Sequence, residues 1–156
     1  MRLLDFICVD AILPDLKATT ARGAVEEMFD ALAAAGAIGK KDRSKFVDAV
    51  MRREKKGTTG FGGSVAIPHA KHENVEGVVG TVARSRRGLD FKALDGQPVQ
   101  LFFLLVSNPD CPEPHLKAME HIFRSIKNDN LRRFMCQATT REELVDLLRE
   151  ADEELD

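Results

Sequence analysis

Apolar side chains at Val25, Met28, Leu32 and Ala35 recur at the i, i+3, i+7, i+10 spacing of one helical stripe, so the first clear element is an amphipathic helix. Thr20 stands where an N-cap hydroxyl is needed and Gly36 where such a helix stops, while Glu26, Glu27 and Asp30 fill the opposite, solvated face. A second helix is predicted from Asp42, a capping candidate, through Phe46, Val47, Val50 and Met51 to Gly57, which puts Arg53 and Glu54 in or just beyond its last turn.

The pattern then changes. Residues 58–63, TTGFGG, hold three glycines in six positions, which permits positive φ and close approach of backbone to a ligand or a neighbouring chain. Ser64 to Ile67 reads as a short strand whose ladder Pro68 must end, because proline has no N–H to donate, so His69 is expected at a strand end. Val78 to Arg84 reads as another strand. Asp95-Gly96 is a turn signal before the apolar run Val99 to Val106, a central strand covered on both faces. After the proline-rich SNPDCPEP, a helix is predicted to open at His115, with Leu116, Met119, Ile122, Phe123 and Ile126 on its buried side. A short helix around Leu131–Gln137 and a last one capped by the Thr140/Glu143 box follow, with ADEELD as its fraying acidic end. Helices before and after a group of strands predict an α/β fold, a mixed sheet flanked by helices on both faces.

Composition narrows the field without choosing a function. The length, 156 residues, predicts one domain over residues 1–156, and 44% hydrophobic with 31% charged residues is ordinary for a globular chain. A net charge of -2 gives no global pull toward nucleic acid or anionic lipid, so any anion must be held locally. No basic-then-apolar leader opens the sequence and no apolar run is long enough to span a bilayer, so the expectation is a cytoplasmic protein without membrane insertion. Cys8, Cys111 and Cys136 are odd in number and far apart, which predicts free thiols.

The candidate chemistry lies in four histidines, His69, His72, His115 and His121. His69 follows Pro68 beside a glycine-rich turn, and His115 follows Pro114 at a predicted helix N-terminus, where unpaired N–H groups suit an anion. From the residues alone four readings stand side by side. The rings could satisfy local hydrogen bonds and nothing more. They could ligate zinc, although His69/His72 and His115/His121 both lack a ligand spacing that gathers two rings on one face. They could serve a hydrolase, although no G-x-S-x-G elbow is present. Or one neutral imidazole could accept a phosphoryl group, with His69, His115 and Arg53 as the parts.

The segment R-E-K-K-G-T-T-G-F-G-G-S-V-A-I-P-H-A, Arg53 to Ala70, resembles the signature block of the fructose/mannitol/nitrogen-regulatory enzyme IIA (EIIA) family of the bacterial phosphotransferase system. P-H-L-K-A-M-E-H-I, Pro114 to Ile122, is similar to that family's H-L-x-x-L helix start, in the expected order and separation. The resemblance spans nearly the whole chain and implies a phosphotransferase IIA/anion-transport-protein-like fold. It implies a phosphohistidine carrier in which His69 accepts the phosphoryl group and Arg53 and His115 stabilise it, with the backbone of Gly62, Gly63 and Ser64 as further phosphate contacts. The implied partners are an HPr-type phosphocarrier or its nitrogen-branch counterpart as donor, and a IIB component or a regulatory target beyond it, with no metal, nucleotide or other cofactor. A non-catalytic regulatory binding module with a vestigial histidine is the alternative. Two departures stand out. Gly63-Ser64 replaces the Asn-Gly often found in members, and Ala21-Arg22-Gly23 replaces an acidic start to the first helix. Phe61 and Ile67 are expected to supply an apolar docking surface, and Lys71, His72 and His121 to lie at the surface or behind the site.

Overall fold

The computed structural model describes residues 1–154. In chain order the elements are α1 (Leu3–Phe6), α2 (Ala21–Ala34), α3 (Arg43–Lys56), β1 (Gly60–Gly62), β2 (Val65–Ala66), β3 (His69–Lys71), β4 (Val78–Leu89), β5 (Val99–Ser107), α4 (Pro112–Ile126), α5 (Asp129–Gln137) and α6 (Arg141–Glu154).

Strand β5 is the axis of the sheet. On one edge it pairs antiparallel with β4, and on the other it pairs parallel with β2 and then β3. Val65 lies opposite Leu101 and His69 opposite Leu105, so the register is unchanged across the gap and β2 and β3 are one strand interrupted at Ile67–Pro68. Pro68 therefore breaks the ladder without ending it. Its carbonyl accepts the N–H of Leu105 at 3.0 Å, while the N–H it lacks would have pointed to that same edge of β5, so one rung is missing. His69 thus begins a strand.

Side chains of β5 alternate between two apolar layers, as a strand buried on both faces requires. Phe102, Leu104 and Val106 pack with Val25, Met28 and Phe29 of α2 and Phe46, Val47 and Val50 of α3. Leu101, Phe103 and Leu105 pack with Ile122 of α4, Leu131 of α5 and Leu144 and Leu148 of α6. The expected mixed sheet with helices on both faces is the observed one.

Local signals act largely as read. The Thr20 hydroxyl accepts the Gly23 N–H at 3.1 Å and so caps α2 despite its lack of an acidic start, and Thr140 accepts from the Glu143 N–H at 3.1 Å. Other details differ. Asp42 occupies the N-cap position of α3 but its carboxylate accepts from Asn74 Nδ2, 3.1 Å away, tying the helix to the loop after β3. The glycine-rich turn closes a short hairpin of β1 against β2. Strand β4 runs five residues past Arg84, through an irregularity, to Leu89. Helix α4 opens at Pro112, one turn before His115.

Candidate functional site

Two elements deliver the paired rings. His69 opens β3, held opposite Leu105, and its Nδ1 lies 2.8 Å from the Ile67 carbonyl oxygen. A carbonyl only accepts, so Nδ1 carries the proton and the Nε2 lone pair of neutral His69 is left free. His115 comes from the first turns of α4, which starts five residues after β5 ends. The two ring centroids are 5.8 Å apart with their planes at 52°. Ser107, the last residue of β5, places its Oγ 2.5 Å from His115 Nδ1.

A cavity of about 490 Å³ opens in front of the pair, lined by both rings, by Ala49, Arg52, Arg53 and Lys56 of α3, and by Ala70 and Lys71 of β3. Arg53 is fixed from behind, since its NH1 donates to the Gly57 carbonyl at 2.7 Å at the end of its own helix. Among the described residues no carboxylate lines the cavity, and none of Arg52, Lys56 and Lys71 has a carboxylate within ion-pair distance. The cavity is therefore built to attract an anion.

The same surroundings keep the rings neutral. Burial lowers the pKa of His69 below its ordinary value, partly opposed by the Ile67 carbonyl, and the charges of Arg53 and Lys71 add to the fall. His115 is pushed down to about 4, by burial first and then by His69 and Lys71. Two uncharged imidazoles facing a cationic cavity can offer one lone pair to an electrophile and one N–H to an anion. Among the described residues no group of His, Cys, Asp or Glu side chains gathers as a metal site.

The residues named from the sequence thus divide. His69, His115 and Arg53 converge on one cavity. Gly62, Gly63 and Ser64 do not line it. Ser64 accepts at its carbonyl from the N–H groups of Gln100 and Leu101, four residues back along β5 from the partner of His69, or roughly 13 Å at the rise of a strand. The Gly63 N–H is already given to Asp95 Oδ2 at 3.1 Å. The helix N-terminus expected to assist His115 also contributes little. Two of the first three residues of α4 are Pro112 and Pro114, which have no N–H, and the His115 amide is bonded to the Cys111 carbonyl at 3.3 Å. Of the expected docking residues, Phe61 is 38% exposed and stacks edge-on against Phe123 of α4 at 5.0 Å, but Ile67 is 0% exposed and belongs to the core. His121, expected at the surface or behind the site, is buried and does not line the cavity. His72 packs edge-on against Phe46. Sequence reasoning missed Arg52, Lys56 and Ser107. The i, i+4 spacing of Arg52 and Lys56 on α3 was the one available signal for the cationic wall.

Residues 5–151 match the family model described as "Phosphoenolpyruvate-dependent sugar phosphotransferase system, EIIA 2". The chain belongs to that family. A nitrogen regulatory protein of Bradyrhizobium diazoefficiens is 39% identical over 131 residues, covering 84% of each chain. A fructose-specific EIIA component of Haloferax volcanii is 34% identical over 134 residues, covering 86% of each. The crystal structure of nitrogen regulatory protein IIA-Ntr from Neisseria meningitidis superposes with a TM-score of 0.82 at 26% identity, over 92% of this chain and 97% of that one. Membership of the EIIA family supports a general role as a phosphotransferase-system phosphocarrier. Among the described residues no helix is long and apolar enough to cross a membrane.

Proposed function

We propose that the protein is a phosphohistidine carrier in which Nε2 of His69 accepts a phosphoryl group from an HPr-type phosphocarrier or its nitrogen-branch counterpart. The observation that carries this reading is the His69 Nδ1 to Ile67 carbonyl bond, which leaves Nε2 as the free lone pair facing the cavity that His115 and Arg53 share.

In the transfer, the P–N bond to the donor imidazole breaks as a bond from phosphorus to His69 Nε2 forms, and the donor ring, already protonated on its other nitrogen, takes back the bonding pair and leaves as neutral imidazole. The proton on His69 Nδ1 stays, and the Ile67 carbonyl balances the positive charge that the ring acquires. Such a transition state is loose, so positioning and charge account for most of the catalysis. Arg53 and the His115 ring hold the phosphoryl oxygens, with Lys71, Arg52 and Lys56 as the surrounding positive field. Gly62, Gly63 and Ser64 are left out of the phosphoryl contacts because the strand register sets them too far along β5.

The test is incubation with a phosphorylated carrier protein. One phosphoryl group per chain is expected, acid-labile and base-stable as a phosphoramidate is, and absent from His69→Ala. Full labelling of His69→Ala removes that residue from the role, and no labelling of the parent chain by any carrier favours a binding module with a vestigial site.

The nitrogen-regulatory branch is the preferred one, because the 39% identity is to a nitrogen regulatory protein. On this reading the unphosphorylated form binds a regulatory target, and the charge added at His69 alters that binding. The 34% identity to a fructose-specific component keeps delivery to a IIB component as the second reading. Fast, complete transfer of label to a IIB encoded beside this gene would favour it.

A further inference from the structure

Ser107 is 0% exposed, and its backbone is held from both sides of β5: it lies opposite Lys71 and Val78, and its carbonyl accepts the His72 N–H at 2.9 Å. The direction of its Cβ is therefore fixed by the sheet. Its Oγ meets His115 Nδ1 at 2.5 Å, and this is the only hydrogen-bond partner the hydroxyl has among the described residues.

That last fact decides who donates. If His115 Nδ1 carried the proton, the Ser107 hydroxyl hydrogen would be buried without an acceptor, a loss of the desolvation free energy of a polar group. If Ser107 donates to Nδ1, both groups are satisfied, and the one proton of neutral His115 must sit on Nε2. A His115 with its proton on Nε2 donates a hydrogen bond to an anion, whereas the other tautomer would turn a lone pair toward the phosphoryl oxygens and repel them.

We infer that Ser107 is a positioning residue for phosphoryl transfer, acting through His115 by locking its ring in the tautomer that donates to the phosphoryl group. The inference rests on the phosphocarrier reading of the His69 site. With Ile67 it gives the site two complementary locks: a carbonyl leaves Nε2 of His69 bare, and a hydroxyl leaves Nε2 of His115 protonated. Both are indexed to β5, so acceptor and donor are set against each other by one strand.

The test begins with nitrogen-15 NMR of the unphosphorylated protein, which reads the tautomer of His115 with or without any activity. The expected spectrum shows His115 protonated on Nε2 in the parent and a mixture of tautomers in Ser107→Ala. His115 protonated on Nδ1 in the parent overturns the proposal, as does an unchanged spectrum in Ser107→Ala. Transfer rates give the functional arm, with Ser107→Ala expected to slow phosphoryl transfer about tenfold, in the range of other lost ring-orienting partners, and Ser107→Thr to restore it. Combining Ser107→Ala with His115→Ala should slow transfer no further than His115→Ala alone, because the hydroxyl acts only through that ring. Additive losses would show a merely structural role and overturn the assignment. Should no carrier label even the parent protein, the phosphocarrier reading falls, while the spectrum still decides whether Ser107 sets the tautomer.

Discussion

Asp152, near the end of α6, lies 3.4 Å from Nε2 of His121 in α4 and accepts the backbone N–H groups of Leu3 at 2.6 Å and Leu4 at 3.2 Å. One buried carboxylate thus joins the start of the chain to its last helix, and His121 completes the clasp by donating from Nδ1 to the Met1 carbonyl at 2.8 Å. Replacing Asp152 with Ala leaves the Leu3 N–H buried without an acceptor. The expected loss is about 2–3 kcal/mol, read as a lower denaturation midpoint in urea with unchanged slope. A change within ~0.5 kcal/mol, the usual span of surface substitutions, would show that water takes over the bond.

The pH dependence follows from three rings. His69, His115 and His121 all have pKa values lowered first by burial, His115 to about 4, so the folded protein resists protonation that the unfolded chain accepts near 6.5. Stability contributed by these rings is present in full above that unfolded value and is lost as the pH falls through their lowered folded values, that of His115 being about 4. Burial raises the Glu54 carboxyl, which works in the opposite direction at the acid end of the range. Each of the three rings should titrate below 6.5 by proton NMR, and thermal midpoints should drop between pH 7 and pH 5. A midpoint that holds steady or rises across that interval contradicts the burial of these rings.

In the proposed transfer the His115 ring contacts the phosphoryl group without bonding covalently to phosphorus, so His115→Ala should still take up label on His69 but pass it on slowly. We expect a loss of about 10²-fold in onward transfer, the scale of one missing hydrogen-bond donor to a transferring group. Equal transfer rates in variant and parent would take His115 out of the reaction.

The unpaired cations of the cavity predict a strong salt effect. Arg52 and Lys56 stand on α3 beside the site without carboxylate partners among the described residues, so charge reversal at both should slow capture of a phosphorylated donor by roughly tenfold at low ionic strength. The difference should shrink as salt is raised. Rates that respond equally to salt in variant and parent would mean that these side chains do not steer the encounter.

Gly80 lies where β4 meets β5, and a Cβ built there would come within 2.5 Å of the Leu104 carbonyl oxygen, with Leu105 and Phe6 also at 3.5 Å. Backbone cannot yield as a side-chain tip can. Gly80→Ala should destabilise the protein by about 2 kcal/mol or more through overpacking, visible in thermal melting, whereas a wild-type midpoint would mean that β4 shifts freely on its neighbour.

The helices and the central strand were legible because their signals are local. The stripe of Val25, Met28 and Leu32, the Thr20 and Thr140 caps and the unbroken apolar run of β5 each reflect spacing or one hydrogen bond within a few residues. Helix α1 was not, since a four-residue segment has no period to read and is held by Asp152 from the far end of the chain. The three-residue β3 was hidden by Pro68, which reads as a stop although its carbonyl continues the ladder. Within the site, the resemblance pointed to His69, His115 and Arg53, and the fold brings all three to one cavity. Gly62, Gly63 and Ser64 were weaker candidates, and their distance from the rings depends on register. Ser107 and the cations on α3 depend on how β5 meets its neighbours, and Ile67 and His121 on which face is covered.

Strand β5 holds His69 through Leu105 and His115 through Ser107, and it has neighbours along both edges and apolar layers on both faces. The geometry of the ring pair is therefore insulated from fraying at the hairpin, the loop after β3 or the chain ends. Amide hydrogens of β5 should exchange with solvent only through global opening, so the two imidazoles keep their spacing for as long as the molecule stays folded. Partial unfolding elsewhere can therefore leave the histidine pair and its spacing intact.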